Sequence, residues 1–186
     1  MSQIPLEIVT PRLRVRGLRP TDRPAWIDAL ARSLPLHAPF MPLAEPGVDL
    51  AMRFDRQLAA HEAGTSFKGV ALAADGRIAA FVNLNEIVRS ATMGATAGWS
   101  VHIDFAGQGV MTEALTALLD LAFAPEGLAL HRVSAGIMPE NLASLRVAEK
   151  AGFRREGFAL KLVKIAGEWR DHVLVAKLAE EHGQRQ

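Results

Sequence analysis

Fifteen residues, Gly98 to Thr112 (GWSVHIDFAGQGVMT), constrain this chain more than any other stretch. An apolar strand runs into a loop with two closely spaced glycines, and the loop runs straight into a helix. Gly107 and Gly109 remove side chains from the loop, so its backbone N–H groups can close on an anion. The first helical turn adds unpaired N–H groups and the positive end of the helix dipole. The pattern is a phosphate cradle at the end of a strand, and the rest of the chain must supply a sheet to carry it.

Two nucleotide-binding patterns do not fit. A P-loop needs GxxxxGK[ST], which no segment matches. A dinucleotide fingerprint needs GxGxxG opening a βαβ unit, and Thr112 stands where its third glycine belongs. The loop here also follows antiparallel strands instead of opening a parallel sheet, and Glu126 falls in a loop before the next strand. A nucleotide-dependent oxidoreductase is therefore the least favoured reading.

Periodicity and turn chemistry lay out the elements. Leu13–Leu18 alternates arginine with aliphatic residues and reads as a strand. Thr21 can cap a helix from Asp22 to about Ser33, with Asp22 at its positive end. Residues 34–46 (LPLHAPFMPLAEP) read as a proline-punctuated apolar loop, and Val48–Ala63 as a helix stopped by Gly64. Ser66–Ala73 and Ile78–Glu86 are strands joined by Ala74-Asp75-Gly76-Arg77, whose Asp-Gly pair favours a tight hairpin. A turn over Ser90–Gly94 leads to the strand Ala95–Ile103. After the glycine loop, Met111, Leu115, Leu118, Leu119 and Ala122 mark one helix face. Strand His131–Ile137, helix Asn141–Ala151 with Gly152 as its stop, and strands Phe153–Leu162 and Trp169–Leu178 complete the chain. A meander followed by alternating strands and helices predicts an α/β (α+β) fold with a mixed sheet covered by helices.

At 186 residues the chain is expected to be a single domain spanning 1–186. Lys+Arg is 21 against Asp+Glu 20, a net charge of +1 that argues against a nucleic-acid partner. Arg12, Arg14 and Arg16 read either as the solvated face of a strand or as a contact for an acidic ligand. The chain has no cysteine, which excludes disulfides, thiolate zinc sites and cysteine nucleophiles. The six histidines form no HxH or HExxH pair, so no metal is expected. Without a signal-peptide pattern or a long apolar run, the chain reads as a soluble cytoplasmic protein with no membrane association. A homodimer is the commonest default for its assembly.

Several segments, taken in order, resemble the GNAT superfamily of acetyl-CoA-dependent N-acetyltransferases. They are Thr10-Pro11-Arg12-Leu13, Gly98-Trp99-Ser100-Val101, the glycine loop with Thr112-Glu113-Ala114-Leu115, Arg132-Val133 through Asn141, Gly152-Phe153, and Gly167–His172. Within the superfamily they look most like the ribosomal-protein alanine acetyltransferase branch, the RimJ/RimL type. The resemblance implies a central mixed sheet whose splayed strands admit the pantetheine of acetyl-CoA, which pairs with strand backbone as an added strand would. That role falls to Val101, His102 and Ile103. The pyrophosphate would rest on Gln108, Gly109, Val110, Met111 and Thr112, with Asn141 and Ser144 completing the cofactor site. Asp104 departs from the superfamily, which often has Gln or Arg three residues before the first glycine.

The implied chemistry is direct attack of a primary amine on the acetyl thioester. A backbone N–H near Val101 or His102 would hold the oxyanion. Many relatives use a tyrosine as the acid, and this chain has none. The resemblance assigns that role to Ser144, although a first-turn serine can equally bond its own backbone. Asn141 is a helix cap and, by resemblance, a cofactor ligand. Glu86, His102 and Glu113 are the candidates for the base, and each also has a structural explanation. The acceptor is expected over Leu34–Pro46, where Phe40, Met41 and Leu43 either contact it or plug the core; Glu86 is a further substrate candidate. The branch can place a glutamate in the closing hairpin, where this chain has Val163, and without that base an α-amine of a peptide or a small molecule is favoured over a lysine side chain. A non-catalytic acyl-CoA-binding module is the alternative.

Overall fold

The computed structural model describes residues 7–41 and 49–183. Val48, expected to open the second helix, and Leu43, expected near the acceptor, lie outside them. Eight strands form one sheet: β1 (Glu7–Val9), β2 (Leu13–Gly17), β3 (Phe67–Ala73), β4 (Ile78–Val88), β5 (Gly94–Val101), β6 (Arg132–Ile137), β7 (Arg154–Ile165) and β8 (Glu168–Leu178). Their spatial order is β1-β2-β3-β4-β5-β6-β8-β7. Neighbours are antiparallel except β5 and β6, which are parallel. Strand β1, which was not anticipated, pairs Glu7 with Arg16 at the free edge of β2.

Strand alternation sends neighbouring side chains to opposite faces. Val82 and Leu84 of β4 join the larger core, under helix α3 (Val110–Phe123). Phe81 faces the other way and packs edge-on against Trp26, which packs likewise against Phe54. Those aromatics belong to α1 (Arg23–His37), β4 and α2 (Leu50–Glu62). Ten of the 14 residues of α3 are buried, so this helix carries the cradle on a fixed support. Helix α4 (Leu142–Lys150) follows β6.

Three local expectations are corrected. A 3-10 turn over Pro20–Asp22 precedes α1, and neither Thr21 nor Asp22 makes a side-chain cap. Asp22 instead pairs with Arg16 through two bonds of 2.7 Å and accepts the Arg19 N–H at 2.8 Å. Arg16 is therefore buried, not solvated. Second, α1 runs past Ser33 to His37, through Pro35. A proline inside a helix costs about 3 kcal/mol, and tertiary bonds from this last stretch offset it. Arg32 pairs with Asp104, the Ser33 hydroxyl accepts the Ile103 N–H, and His37 bonds the Val101 carbonyl. Third, β5 stops at Val101, and residues 103–105 form a 3-10 turn. No helix among the described residues is long and apolar enough to cross a membrane.

Candidate active site

The β5–β6 ladder contains only three pairs, Gly94–Arg132, Ala95–Val133 and Thr96–Ser134. Beyond them β6 stays with β8 through Ile137, while β5 stays with β4 through Val101. The two parallel strands thus part, and a cavity of about 500 Å³ lies between Ala97–Val101 and Ala135–Met138. His102 donates its N–H to Ala79 on the β4 side. Alternation then turns the backbone groups of Val101 and Trp99 toward the gap. The Val101 carbonyl already accepts a 2.7 Å bond from His37 Nε2. These exposed strand edges are what an extended amide chain needs for pairing.

The glycine loop closes one end of the cavity. Gly107 and Gly109 both have φ of 76°, the left-handed region that other residues enter at a cost. Gly109 is the N-cap of α3 and offers no capping side chain, so the first N–H groups of the helix stay open toward the loop. Gly107, Gly109, Met111 and Thr112 line the cavity. Gln108 does not: its amide donates to the Asp104 carbonyl at 2.8 Å. Val110 is buried in the core. Asp104 has its own account, since Arg32 and Arg77 both bond its carboxylate. It anchors the strand end and leaves anion binding to backbone.

Helix α4 supplies another wall. The Asn141 side chain caps it by accepting the Ser144 N–H at 3.1 Å. Asn141 and Ser144 both line the cavity, and no hydrogen bond of the Ser144 hydroxyl is formed among the described residues. Phe40 and Met41 close the cavity at the end of α1.

Other sequence candidates are placed elsewhere. His102 is buried outside the cavity, and its Nδ1 accepts the Asp104 N–H. Burial pushes its pKa down. Its own N–H, spent on Ala79, is not free for an oxyanion. Ile103 lies in the 3-10 turn and donates its N–H to Ser33. Glu86 is exposed in a β4 bulge with φ of 52°, beside the part of β5 that precedes the gap. Glu113 is occupied by Thr10 and Arg12.

Sequence reasoning missed several wall residues. Trp99 lines the cavity, with its Nε1 buried and unpartnered among the described residues. Arg146 and Lys150 stand one helical turn apart on α4, so both reach the cavity from the same helix face. His37 and His172 lie in segments already noted, but neither was singled out, because each reaches the gap from a distant element. Among the described residues no group of three or more His, Asp or Glu side chains is arranged to hold a metal.

Comparison with known proteins agrees with this geometry. Residues 12–154 match the acetyltransferase (GNAT) domain family. The chain belongs to the GNAT acetyltransferases. It is 30% identical over 183 residues to the [Ribosomal protein uS5]-alanine N-acetyltransferase of Escherichia coli, covering 94% of this chain and 92% of that one. It is 46% identical over 110 residues to the probable N-acetyltransferase YjcK of Bacillus subtilis, covering 59% of this chain and 60% of that protein's length. The solved Mycobacterium smegmatis RimJ in complex with CoA-disulfide superposes with a TM-score of 0.82 at 29% identity, covering 92% and 84% of the two chains. As a GNAT enzyme the chain is an acetyl-CoA-dependent N-acetyltransferase. The splayed edge, the two left-handed glycines and the open α3 terminus fit pantetheine and pyrophosphate.

Proposed function

We propose that this GNAT enzyme acetylates an α-amine, that of a peptide N-terminus or of a small molecule, by direct attack in a ternary complex. One observation carries the reading: among the described residues no carboxylate lines the cavity. Its titratable wall residues are His37, His172, Arg146 and Lys150. Burial pushes the His37 pKa down, outweighing the opposite effect of its bond to the Val101 carbonyl, so it is a weak base. At neutral pH an α-amine is already uncharged about one time in ten, whereas a lysine amine is uncharged less than about one time in a thousand. A site without a strong base turns over the former. The alanine N-acetyltransferase name of the Escherichia coli relative supports the same acceptor class.

Bound acetyl-CoA supplies the acetyl thioester. Trp99 and Val101 align it through strand backbone, the N-terminal turn of α3 and the glycine loop hold its pyrophosphate, and Arg146 and Lys150 add positive charge for its phosphates. The acceptor nitrogen bonds to the acetyl carbon as the carbon–sulfur bond breaks. Water in the open cavity takes the ammonium proton. Ser144 hands its hydroxyl proton to the leaving sulfur and regains one from water.

The test is initial-rate kinetics on an alanine-initiated peptide and on the same peptide with a blocked terminus and one internal lysine. We expect at least about 50-fold higher kcat/KM on the α-amine at pH 7. Equal or better turnover of the lysine peptide rejects the reading.

A further inference from the structure

A second, smaller cavity of about 30 Å³ adjoins the first, and Met41 and Ser100 line both. That volume holds about two waters, or the two oxygens of one carboxylate. Trp26 and Phe81 form its apolar side, and Arg53, Gln57, Asn83 and Ser100 its polar side. Four side chains able to donate hydrogen bonds thus meet around a space with no acidic residue on its wall among the described residues.

Arg53, on α2, is the decisive member. Its Nε is buried and has no hydrogen-bond partner among the described residues. A buried charged donor left unpaired is costly, and such sites ordinarily meet a ligand or a water. Burial, then repulsion from Arg56, pushes the guanidinium down to about 10, which still leaves it charged at neutral pH. Lys68 of β3 feels the same field, lowered by burial and then by Arg53 and Arg56. Its amine donates to Asn85. Of the acids of α2 and its cap, Asp49 caps the helix, Asp55 pairs with Arg23, and Glu62 stands at the opposite end of the helix beside His61. Arg53, Arg56 and Lys68 therefore lie close enough to repel one another, none has a carboxylate partner among the described residues, and of the three Arg53 is the one on the small cavity's wall.

We propose that this small cavity receives a carboxylate carried by the acceptor close to its reactive amine. The proposal rests on the acetyl-CoA N-acetyltransferase reading above. An acceptor spanning the two cavities places its amine in the large one, beside Val101, and its carboxylate past Ser100 on Arg53. The carboxylate has two sources: an acidic side chain at the first or second position of a peptide, or the α-carboxylate of a free amino acid.

The experiment uses the full chain with acetyl-CoA and measures CoA release on matched pairs. Two peptide pairs differ only by Glu or Gln at position one or two, and a third pair is alanine and alaninamide. We expect kcat/KM to favour the carboxylate member of the peptide pairs or of the amino-acid pair by about 10- to 100-fold, which identifies the source. In Arg53→Met that ratio collapses toward one, and in Arg53→Lys part of it returns. If Arg53→Met melts unfolded, Asn83→Leu serves, with a several-fold loss of the ratio expected. Equal rates within every pair, or a preference that survives Arg53→Met, overturn the proposal and leave the enzyme reading intact. Acetyl-CoA binding without turnover of any acceptor overturns both.

Discussion

Arg12 ties the two halves of the phosphate cradle together through Glu113, 101 residues away. Its Nε donates to the Glu113 carboxylate at 2.6 Å, and its Nη1 donates to the Gln108 carbonyl at 2.9 Å. The Thr10 hydroxyl and the Arg12 N–H complete the set on Glu113. A carboxylate in the first turn of α3 would compete with a bound anion, and these donors neutralise it. Arg12 is half-exposed, so its ion pair adds little to stability. Its work is to hold the loop. Arg12→Met should therefore weaken acetyl-CoA binding about 3- to 10-fold in calorimetry while moving the melting temperature by no more than a few degrees. An unchanged dissociation constant would reject the positioning role.

Gly109 is the cradle's tightest constraint. Its φ of 76° places it in the left-handed region, and an added Cβ would stand 3.6 Å from Arg12 Nη2, an ordinary contact. The cost of Gly109→Ala therefore comes from the backbone, about 1 kcal/mol. We expect a melting temperature lowered by roughly 2–4 °C and a larger loss of acetyl-CoA affinity, because the loop N–H groups turn away from the anion. Calorimetry and thermal melts on the same preparation separate the two effects.

These relationships show what the sequence could and could not reveal. The cradle was legible because Gly107 and Gly109 make a local requirement that only their neighbours modify. The Asn141 cap was legible for the same reason. The extent of α1 was not. Pro35 argues locally for a helix end, and the bonds that overrule it come from residues 101–104. Strand β5 was read two residues too long because nothing local distinguishes a strand end from a 3-10 turn in an apolar run. Glu86 and His102 were nominated by residue type, and only the sheet register and burial place them away from the gap. His37, His172 and Arg53 could not be singled out individually, because what each one faces is set by the fold and not by its neighbours in sequence.

Acid should destabilise this chain in two stages. Burial pushes the imidazole pKa values of His37, His61 and His102 down. Just below the ordinary value of about 6.5, the unfolded chain binds more protons than the folded one. Stability is then complete above about pH 7 and falls as pH drops through 6.5. Burial works against ionised Asp22 and Glu113, but Arg16 holds the first low, and Thr10 with Arg12 the second. Their contribution is lost only below about pH 4.5. Melting curves from pH 8 to about pH 2 should show both declines, with the first shallower in His102→Gln. A flat profile from pH 8 to pH 5 contradicts the assignment.

The buried pair Arg16–Asp22 governs how β2 meets α1. The side chains are only 9% and 11% exposed. Removing one partner of such a pair strands the other charge and costs about 3–5 kcal/mol. Asp22→Ala should lower the melting temperature by about 10 °C or more. The double variant Arg16→Met with Asp22→Leu should recover much of that loss, since an apolar pair leaves no charge uncompensated. A double variant as unstable as the single one would mean that the Arg19 N–H bond to Asp22 matters more than the ion pair.

Ser144 and Asn141 share the first turn of α4 yet should fail differently. The Ser144 N–H is satisfied by Asn141, so Ser144→Ala leaves the cap in place and removes only the hydroxyl facing the cavity. If that hydroxyl protonates the leaving sulfur, kcat falls while acetyl-CoA affinity holds. General acids contribute about 10²–10⁴-fold, and a thiolate of pKa near ~8.5 needs little help, so a loss near ~10²-fold or below is expected. Asn141→Ala removes the cap, costs about 1 kcal/mol in stability, and opens the cavity wall, so its main signature is weaker acetyl-CoA binding. Steady-state kinetics with separate calorimetric titration distinguish the two patterns. A Ser144→Ala enzyme with full kcat across pH 6 to 9 would show that the sulfur leaves unaided, with Ser144 as cavity lining alone.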